Sequence, residues 1–203
     1  MNWEQLIEKA FLARVNLSAK GHYATPVIHF DKSKEKGHPF AYHVYGTAIT
    51  IATIDCIRGT YSFDSVQIVH DFGSSMNRII DIGQTEGGLV QGIGWMTMEE
   101  LAYNHEGRLL SNALSTYKVP DIYAVPKKID IQFLNTDGTD MALFKSKAVG
   151  EPPLMYGIGA YFALLNAIQA AKPSFTPNIY SAPMTPEKVL LALYGSSQLN
   201  KNS

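Results

Sequence analysis

An uncharged stretch near the end of the chain constrains the fold most strongly. Residues 154–171 read LMYGIGAYFALLNAIQAA and contain no charged side chain. Pro152 and Pro153 stand where proline can begin a helix, and the helix must end before Pro173. The stretch is at the short end for a membrane span and carries polar amides. A helix that is apolar on all sides and of this length indicates burial inside a larger folded body.

The remaining patterns predict an α+β fold, with hairpin or mixed sheets packed against helices. We expect one domain over residues 1–195 and a disordered tail at 196–203. Apolar periodicity predicts helices, and β-branched alternation predicts strands. The predicted helices are 2–17, with Gly21 marking the end, then 78–103, about 152–172, and 186–194 with Thr185 as N-cap. The predicted strands are 40–55, 63–71, 127–135 and 141–149, with a turn at 58–60, an ordered loop at 111–126 and a loop or short edge strand at 22–38.

Charge and cysteine content exclude several classes of protein. The chain has 17 basic and 18 acidic residues, which argues against nucleic-acid binding. Cys56 is the single cysteine, so the chain cannot form an internal disulfide or hold an iron–sulfur cluster, and we expect it buried in a strand. The N-terminal residues include acidic side chains and lack a continuous apolar segment, which favours a cytoplasmic protein without a signal peptide. Charged residues make up only 17%, which indicates surface buried against partner chains.

Common catalytic motifs are missing as well. The six histidines form no H-x-x-x-H pair and no cluster, so we predict no metal held by protein side chains. Neither a phosphate-binding P-loop nor a nucleophile elbow occurs. Gly92-Ile93-Gly94 lies inside a helical pattern instead of after a strand, so it is no dinucleotide fingerprint.

The predicted helix 78–103 contains an unusual number of glycines. They stand at positions 83, 87, 88, 92 and 94. Each interior glycine costs a helix roughly 1 kcal/mol relative to alanine, so their presence requires a reason. Two physical reasons fit the sequence: tight packing of one helix on another, or close approach of the backbone to a bulky ligand.

Glu151 is the candidate catalytic residue that the pattern itself singles out. It follows Gly150 and precedes Pro152, at a predicted strand-to-helix junction with apolar neighbours. The helix terminus favours an ionised carboxylate, whereas partial burial favours the neutral form. A carboxylate in that position either complements its helix terminus or, facing a cavity, acts as a general base.

Four segments, in order and spacing, resemble the molybdenum subunit of the xanthine dehydrogenases, in the xanthine oxidase/aldehyde oxidase family. Residues 146–154, SKAVGEPPL, are similar to the family's active-site segment. The other three are 71–77 (DFGSSMN), 81–92 (DIGQTEGG followed by VQG) and 115–120 (STYKVP). Together they place nearly the whole chain in the C-terminal part of that subunit's molybdopterin-binding domain.

The resemblance assigns roles to particular residues. It implies that Glu151 is the base that activates the molybdenum-bound hydroxide during oxidation of hypoxanthine or xanthine to urate. It also implies that Gln84, with Gly83, lies beside the molybdopterin cofactor, and that Gly150 belongs to the same site. The run at 115–120 is expected to order a loop near the pocket. In this family the pterin holds the metal, which agrees with the lack of a ligand cluster.

The resemblance also implies what this chain does not contain. The family's upstream glycine-rich loop and substrate-binding residues are absent from the sequence, so the chain is expected to form one wall of the site and to be inactive alone. FAD and 2Fe-2S clusters are expected on other chains or domains, which are partners together with the rest of the molybdenum subunit. Two alternatives stay open: an aldehyde or N-heterocycle hydroxylase of the same family, and a non-catalytic interaction module. The electron acceptor, NAD or oxygen, and the oligomeric state are not defined by these residues.

Overall fold

A computed structural model describes residues 1–136, 138, 140–177 and 180–195. The predicted disordered tail at 196–203 lies outside these residues. The chain divides into two compact units, Met1–Ala41 and Tyr42–Ser203.

The first unit consists of one helix and one small hairpin. Helix α1 (Trp3–Leu12) begins with a capping box in which the side chains of Asn2 and Gln5 bond each other's backbone N–H. It ends well before the predicted residue 17, because Arg14 takes a left-handed backbone conformation with φ of 57°. Strands β1 (His29–Asp31) and β2 (Lys36–His38) pair antiparallel in the region predicted as a loop or short strand.

The second unit is built on a three-stranded sheet in the order β3-β4-β5. Strands β3 (Gly46–Ile54) and β4 (Tyr61–His70) form the predicted antiparallel hairpin, and β5 (Ile129–Phe133) pairs with β4 in parallel. Gly59 closes the turn with φ of 70°, a left-handed conformation that favours glycine. Cys56 lies in this turn and is only partly buried, so its predicted place within a strand is wrong.

The described residues of the second unit also form three α-helices. Helix α2 (Arg78–Thr97) is shorter than the predicted 78–103, since Met98 leaves the helical conformation and its N–H bonds to the Gly94 carbonyl. A 3₁₀ helix, Pro152–Gly157, leads directly into α3 (Ile158–Ala171), and α4 (Pro186–Tyr194) has Thr185 as its N-cap, as predicted.

The predicted strand at 141–149 is wrong. The segment contains the short 3₁₀ turn Leu143–Lys145, and Ser146 makes an isolated bridge to Gly73. Phe144 and Lys145 have φ of 52° and 59°, and two consecutive left-handed residues cannot continue an extended strand.

The core is formed by residues of the sheet and of helices α2, α3 and α4. Side chains with no solvent exposure come from β4, α2, α3 and α4: Val66, Ile68, Leu89, Ile93, Leu164, Ile168 and Val189. Among the described residues, Pro152–Ala171 is long and apolar enough to cross a membrane by length and composition, a test that core helices also pass. Five residues of α3 are buried, and α3 lies against β3. The α+β prediction is confirmed by this arrangement.

Candidate cofactor-facing site

The start of α2 is fixed by polar side chains from the loop after β4. The Asn77 side chain caps the helix by accepting hydrogen bonds from the N–H groups of Ile79 and Ile80 at 3.1 and 3.3 Å. Ser75 donates its hydroxyl to the Asp81 carboxylate at 2.5 Å. These contacts set the position of the first turns of α2, which carry Gln84 on the exposed side of the helix.

Four of the α2 glycines fall into two groups: Gly88 and Gly92 pack against another segment, whereas Gly83 and Gly87 face open space. A Cβ atom on Gly92 would collide with the Leu154 carbonyl oxygen and come within 3.1 Å of the Gly157 Cα. Gly88 faces the same segment, with Pro153 Cβ at 3.0 Å. Around Gly83 and Gly87, in contrast, no described heavy atom lies within 4 Å of the Cβ position. Helix packing therefore explains part of the set and leaves Gly83 and Gly87 as open backbone.

Glu151 lies at the start of the 3₁₀ helix, where that segment crosses α2. Its side chain is exposed and makes no capping hydrogen bond, so the expected partial burial is wrong. No described strand precedes it, which corrects the predicted strand-to-helix junction. The adjacent Gly150 has nothing within 4 Å of its Cβ position. The Glu151 carboxylate is thus free to contact a group from outside this chain.

Packing brings the two site segments together. The Gly150 carbonyl oxygen lies 3.4 Å from the Cβ position of Gly88. Gln84 precedes Gly88 by four residues, so it lies on the same face of α2, about 6 Å away along the axis. The exposed Gln84 therefore lies one helical turn from the point where the segment of Gly150 and Glu151 packs on α2, whereas Gly83 is exposed on another side of the helix.

A buried ion pair lies near the segment of Gly150 and Glu151. Lys147 Nζ is 2.5 Å from Asp71 Oδ2, and the two side chains are 9% and 0% exposed. Asp71 also accepts hydrogen bonds from the Thr136 hydroxyl at 2.6 Å and the Gly73 N–H at 3.0 Å. Burial raises the pKa of the Asp71 carboxyl, but the three hydrogen bonds outweigh burial and hold this pKa below its ordinary value.

A second buried contact joins His70, the last residue of β4, to Tyr156. His70 Nδ1 lies 2.5 Å from the Tyr156 hydroxyl, and burial lowers the pKa of His70 although Asp71 and Asp81 act in the opposite direction. Within the described part of the chain, His70 Nε2 is buried without a hydrogen-bond partner. Sequence reasoning missed these pairs. The available signal was the presence of Lys147 in the 146–154 motif and of Asp71 in the 71–77 motif, neither of which had been assigned a role.

Residues 115–120 (STYKVP) lie away from Gln84 and Glu151. Tyr117 donates its hydroxyl to Glu99 at 2.6 Å, and Pro120 packs against Gly94. Gly94 is ten residues beyond Gln84, about 15 Å along α2. This segment does order a loop, but the loop lies at the far end of α2 and not beside Glu151.

A cavity of about 430 Å³ also lies at that far end. It is lined mainly by side chains from the start of β4, the end of α2 and the STYKVP loop, among them Tyr61, Phe63, Met98, Lys118 and Tyr123. Gln84 and Glu151 do not line it. Among the residues that the structure describes, no group of three or more histidine, cysteine or acidic side chains could hold a metal ion.

Comparison with known proteins identifies the family to which this fold belongs. The chain belongs to the family described as molybdopterin cofactor-binding domain, whose model matches residues 1–126. In solved structures, the aldehyde oxidoreductase of Desulfovibrio gigas is similar with a TM-score of 0.63 and 32% identity, over 81% of this chain and 17% of that one. Quinoline 2-oxidoreductase from Pseudomonas putida 86 is similar with a TM-score of 0.61 and 28% identity, over 69% and 17%.

Two sequence relatives match nearly the whole of this chain at higher identity than these structures. Xanthine dehydrogenase/oxidase of Rattus norvegicus is 41% identical over 92% of this chain and 14% of its own length. Aldehyde oxidase 1 of Oryctolagus cuniculus is 37% identical over 94% of this chain and 14% of its own length. The chain therefore spans about one seventh of the relatives that it matches.

Gln84 and the open backbone of α2 fit a molybdopterin cofactor chemically. Gly83 and Gly87 leave open backbone on which a Cβ would meet no described atom. The amide of Gln84 can donate two hydrogen bonds to cofactor oxygens. The exposed amide of Gln84 and the open backbone beside it are features that suit contact with the polar oxygens of an organic cofactor.

Proposed function

We propose that this chain forms one wall of the active site of a molybdenum hydroxylase that oxidises a purine such as hypoxanthine or xanthine. One observation carries the proposal. The exposed Glu151 follows Gly150, whose carbonyl oxygen packs beside Gly88, one helical turn from the exposed Gln84. Identity to xanthine dehydrogenases and the Gly-Glu-Pro-Pro-Leu motif at 150–154 support the choice of substrate.

Gln84 and the glycines are assigned to cofactor binding. The Gln84 side-chain NH₂ donates to cofactor oxygens, and the absent side chains of Gly83 and Gly150 allow close approach. The molybdenum cofactor, when bound, supplies oxygen transfer to the substrate and takes up the electrons released. Gln84 orients this group but exchanges no proton with it.

Glu151 is assigned the proton-transfer role. Its carboxylate oxygens accept the proton of the oxygen nucleophile as that oxygen attacks the substrate carbon. General-base catalysis of this kind typically contributes 10²–10⁴-fold to a rate. The carboxylate is not engaged in capping its own helix, so both oxygens are available to act in this way.

The rest of the active site is assigned to partners. The described residues leave large apolar side chains open to solvent, including Leu114 at 88% and Ile79 at 84% exposure. We propose that the remainder of the molybdenum subunit covers such surfaces and supplies the substrate pocket. Iron–sulfur and FAD domains or chains carry the electrons away, in the cytoplasm. By itself the chain is expected to be inactive.

Product analysis tests the proposal. The chain is co-expressed with the remaining part of a molybdenum subunit and supplied with hypoxanthine or benzaldehyde, with the chain alone as control. Urate from hypoxanthine, seen only in the assembly, supports a purine hydroxylase. Benzoate in place of urate would assign the chain to the aldehyde-oxidising branch. An assembly that contains molybdenum but oxidises neither would contradict the proposal and favour an interaction module.

A further inference from the structure

We infer that Asp71 and His70, adjacent residues at the end of β4, are positioning residues that clamp the segment carrying Glu151 from both sides. Asp71 holds Lys147, four residues before Glu151, and His70 holds Tyr156, five residues after it. The inference rests on the proposed function for the role of Glu151, but its structural part can be tested without activity.

The clamp before Glu151 is the almost completely buried ion pair between Asp71 and Lys147. The Lys147 ammonium also donates to the His43 carbonyl at 3.1 Å and lies 5.7 Å from the ring centroid of Tyr45. Buried ion pairs are poor sources of net stability because desolvation offsets their attraction, and fixing one arrangement of the chain is a documented use. The pair therefore defines where the segment starts.

Backbone hydrogen bonds also hold the segment next to this ion pair. The Lys147 N–H donates to the Phe72 carbonyl at 3.0 Å, and the Ala148 N–H donates to the Tyr42 hydroxyl at 3.1 Å. After these two bonds, Gly150 and Glu151 are exposed. Residues 147 and 148 are thus anchored, whereas the next residues face outward.

The clamp after Glu151 depends on a close approach to β3. A Cβ atom on Gly46 would collide with the Tyr156 hydroxyl oxygen, so a larger residue at position 46 would displace the Tyr156 ring from its present position. The rings of His70 and Tyr156 are perpendicular, with centroids 5.7 Å apart. Because the two clamps start from His70, the last residue of β4, and from Asp71, which follows it, one strand end fixes the segment on both sides of Glu151.

Hydrogen exchange in the full chain tests the clamp directly. Asp71→Asn leaves the lysine without its anion, so the double variant D71N/K147M is the cleaner test because it removes both charges. We expect exchange at the backbone amides of positions 147 and 148 to accelerate about tenfold or more in D71N/K147M, while the core amides of α3 keep their protection. Asp64→Asn is the control, since Asp64 lies on the same strand and pairs with Lys127 at the surface.

Turnover of the assembled enzyme separates the inference from the proposed function. We expect D71N/K147M to lower kcat by about 10- to 100-fold at unchanged molybdenum content, with little change in KM, and Asp64→Asn to behave as wild type. Unaltered exchange at positions 147 and 148 in the double variant would overturn the clamp, whatever the activity. If Glu151→Gln turned over at the wild-type rate, the proposed function would fail instead, and the exchange data would still decide the clamp.

Discussion

The two groups of α2 glycines predict opposite responses to the same substitution. In Gly92→Ala the new Cβ meets backbone atoms of Leu154 and Gly157, which cannot rotate away. Overpacking of this kind costs about 1–3 kcal/mol, and the gain in helix propensity returns about 1 kcal/mol. Gly87→Ala places its Cβ in open space, so only the gain of about 1 kcal/mol remains.

Thermal unfolding of the chain, followed by circular dichroism, measures this difference. In a chain of this length, 1 kcal/mol shifts Tm by about 2–4 °C. Gly87→Ala should therefore raise Tm by about that amount, whereas Gly92→Ala should lower it by up to roughly twice as much. In the assembled enzyme the stabilising Gly87→Ala should reduce molybdenum content, because its methyl group lies on the proposed cofactor-facing surface. Shifts of Tm in the same direction for both variants would refute the packing argument.

Three further predictions concern stability. Leu164→Ala should lower the free energy of unfolding by about 2–5 kcal/mol in urea titrations because the side chain is completely buried, whereas Leu191→Ala at a half-exposed position should cost well under half of that. Thr185→Ala should cost about 1 kcal/mol by the same measurement, since the hydroxyl oxygen accepts the Lys188 N–H at the start of α4; no loss would show that this cap is dispensable. Burial lowers the pKa of His70 below 6.5, so the unfolded chain binds more protons and stability should fall as pH decreases from 6.5 toward the lowered value, by at most about 1.4 kcal/mol per pH unit. His70→Gln should flatten that dependence, and an unchanged pH profile would contradict the assignment.

Local signals predicted the elements that local chemistry determines. Helix α4 begins after Thr185 at Pro186 and ends at Tyr194 as expected, because the capping residue and the proline act on their own neighbours. The β3–β4 hairpin was predicted for a similar reason, from two β-rich runs around a glycine turn. The segment 141–149 was predicted as a strand because its composition is typical of strands, whereas Phe144 and Lys145 adopt left-handed conformations and the Lys145 carbonyl accepts a hydrogen bond from the distant Ser74 N–H.

The sequence indicated candidate site residues but not the buried contacts that lie near them. Glu151 was indicated by its position between Gly150 and Pro152, and Gln84 by motif resemblance; in the structure both are exposed, and the segment of Glu151 packs one helical turn from Gln84. The pairs beneath them join residues 76 and 86 positions apart in the chain, which no local pattern encodes. The expected burial of Glu151 failed because neighbours that are apolar in sequence pack against α2, while the carboxylate itself turns outward.

The turnover of Glu151→Gln in the assembled enzyme tests the central claim most directly. Glutamine keeps the size of the side chain but cannot accept the proton, and the exposed Glu100→Gln is the matched control at the other end of α2. At equal molybdenum content, we predict that Glu151→Gln lowers kcat/KM for hypoxanthine by about 10²–10⁴-fold and that the control stays at the wild-type value. A variant that is fully loaded with molybdenum and retains more than about a tenth of wild-type kcat/KM would contradict Glu151 as the general base.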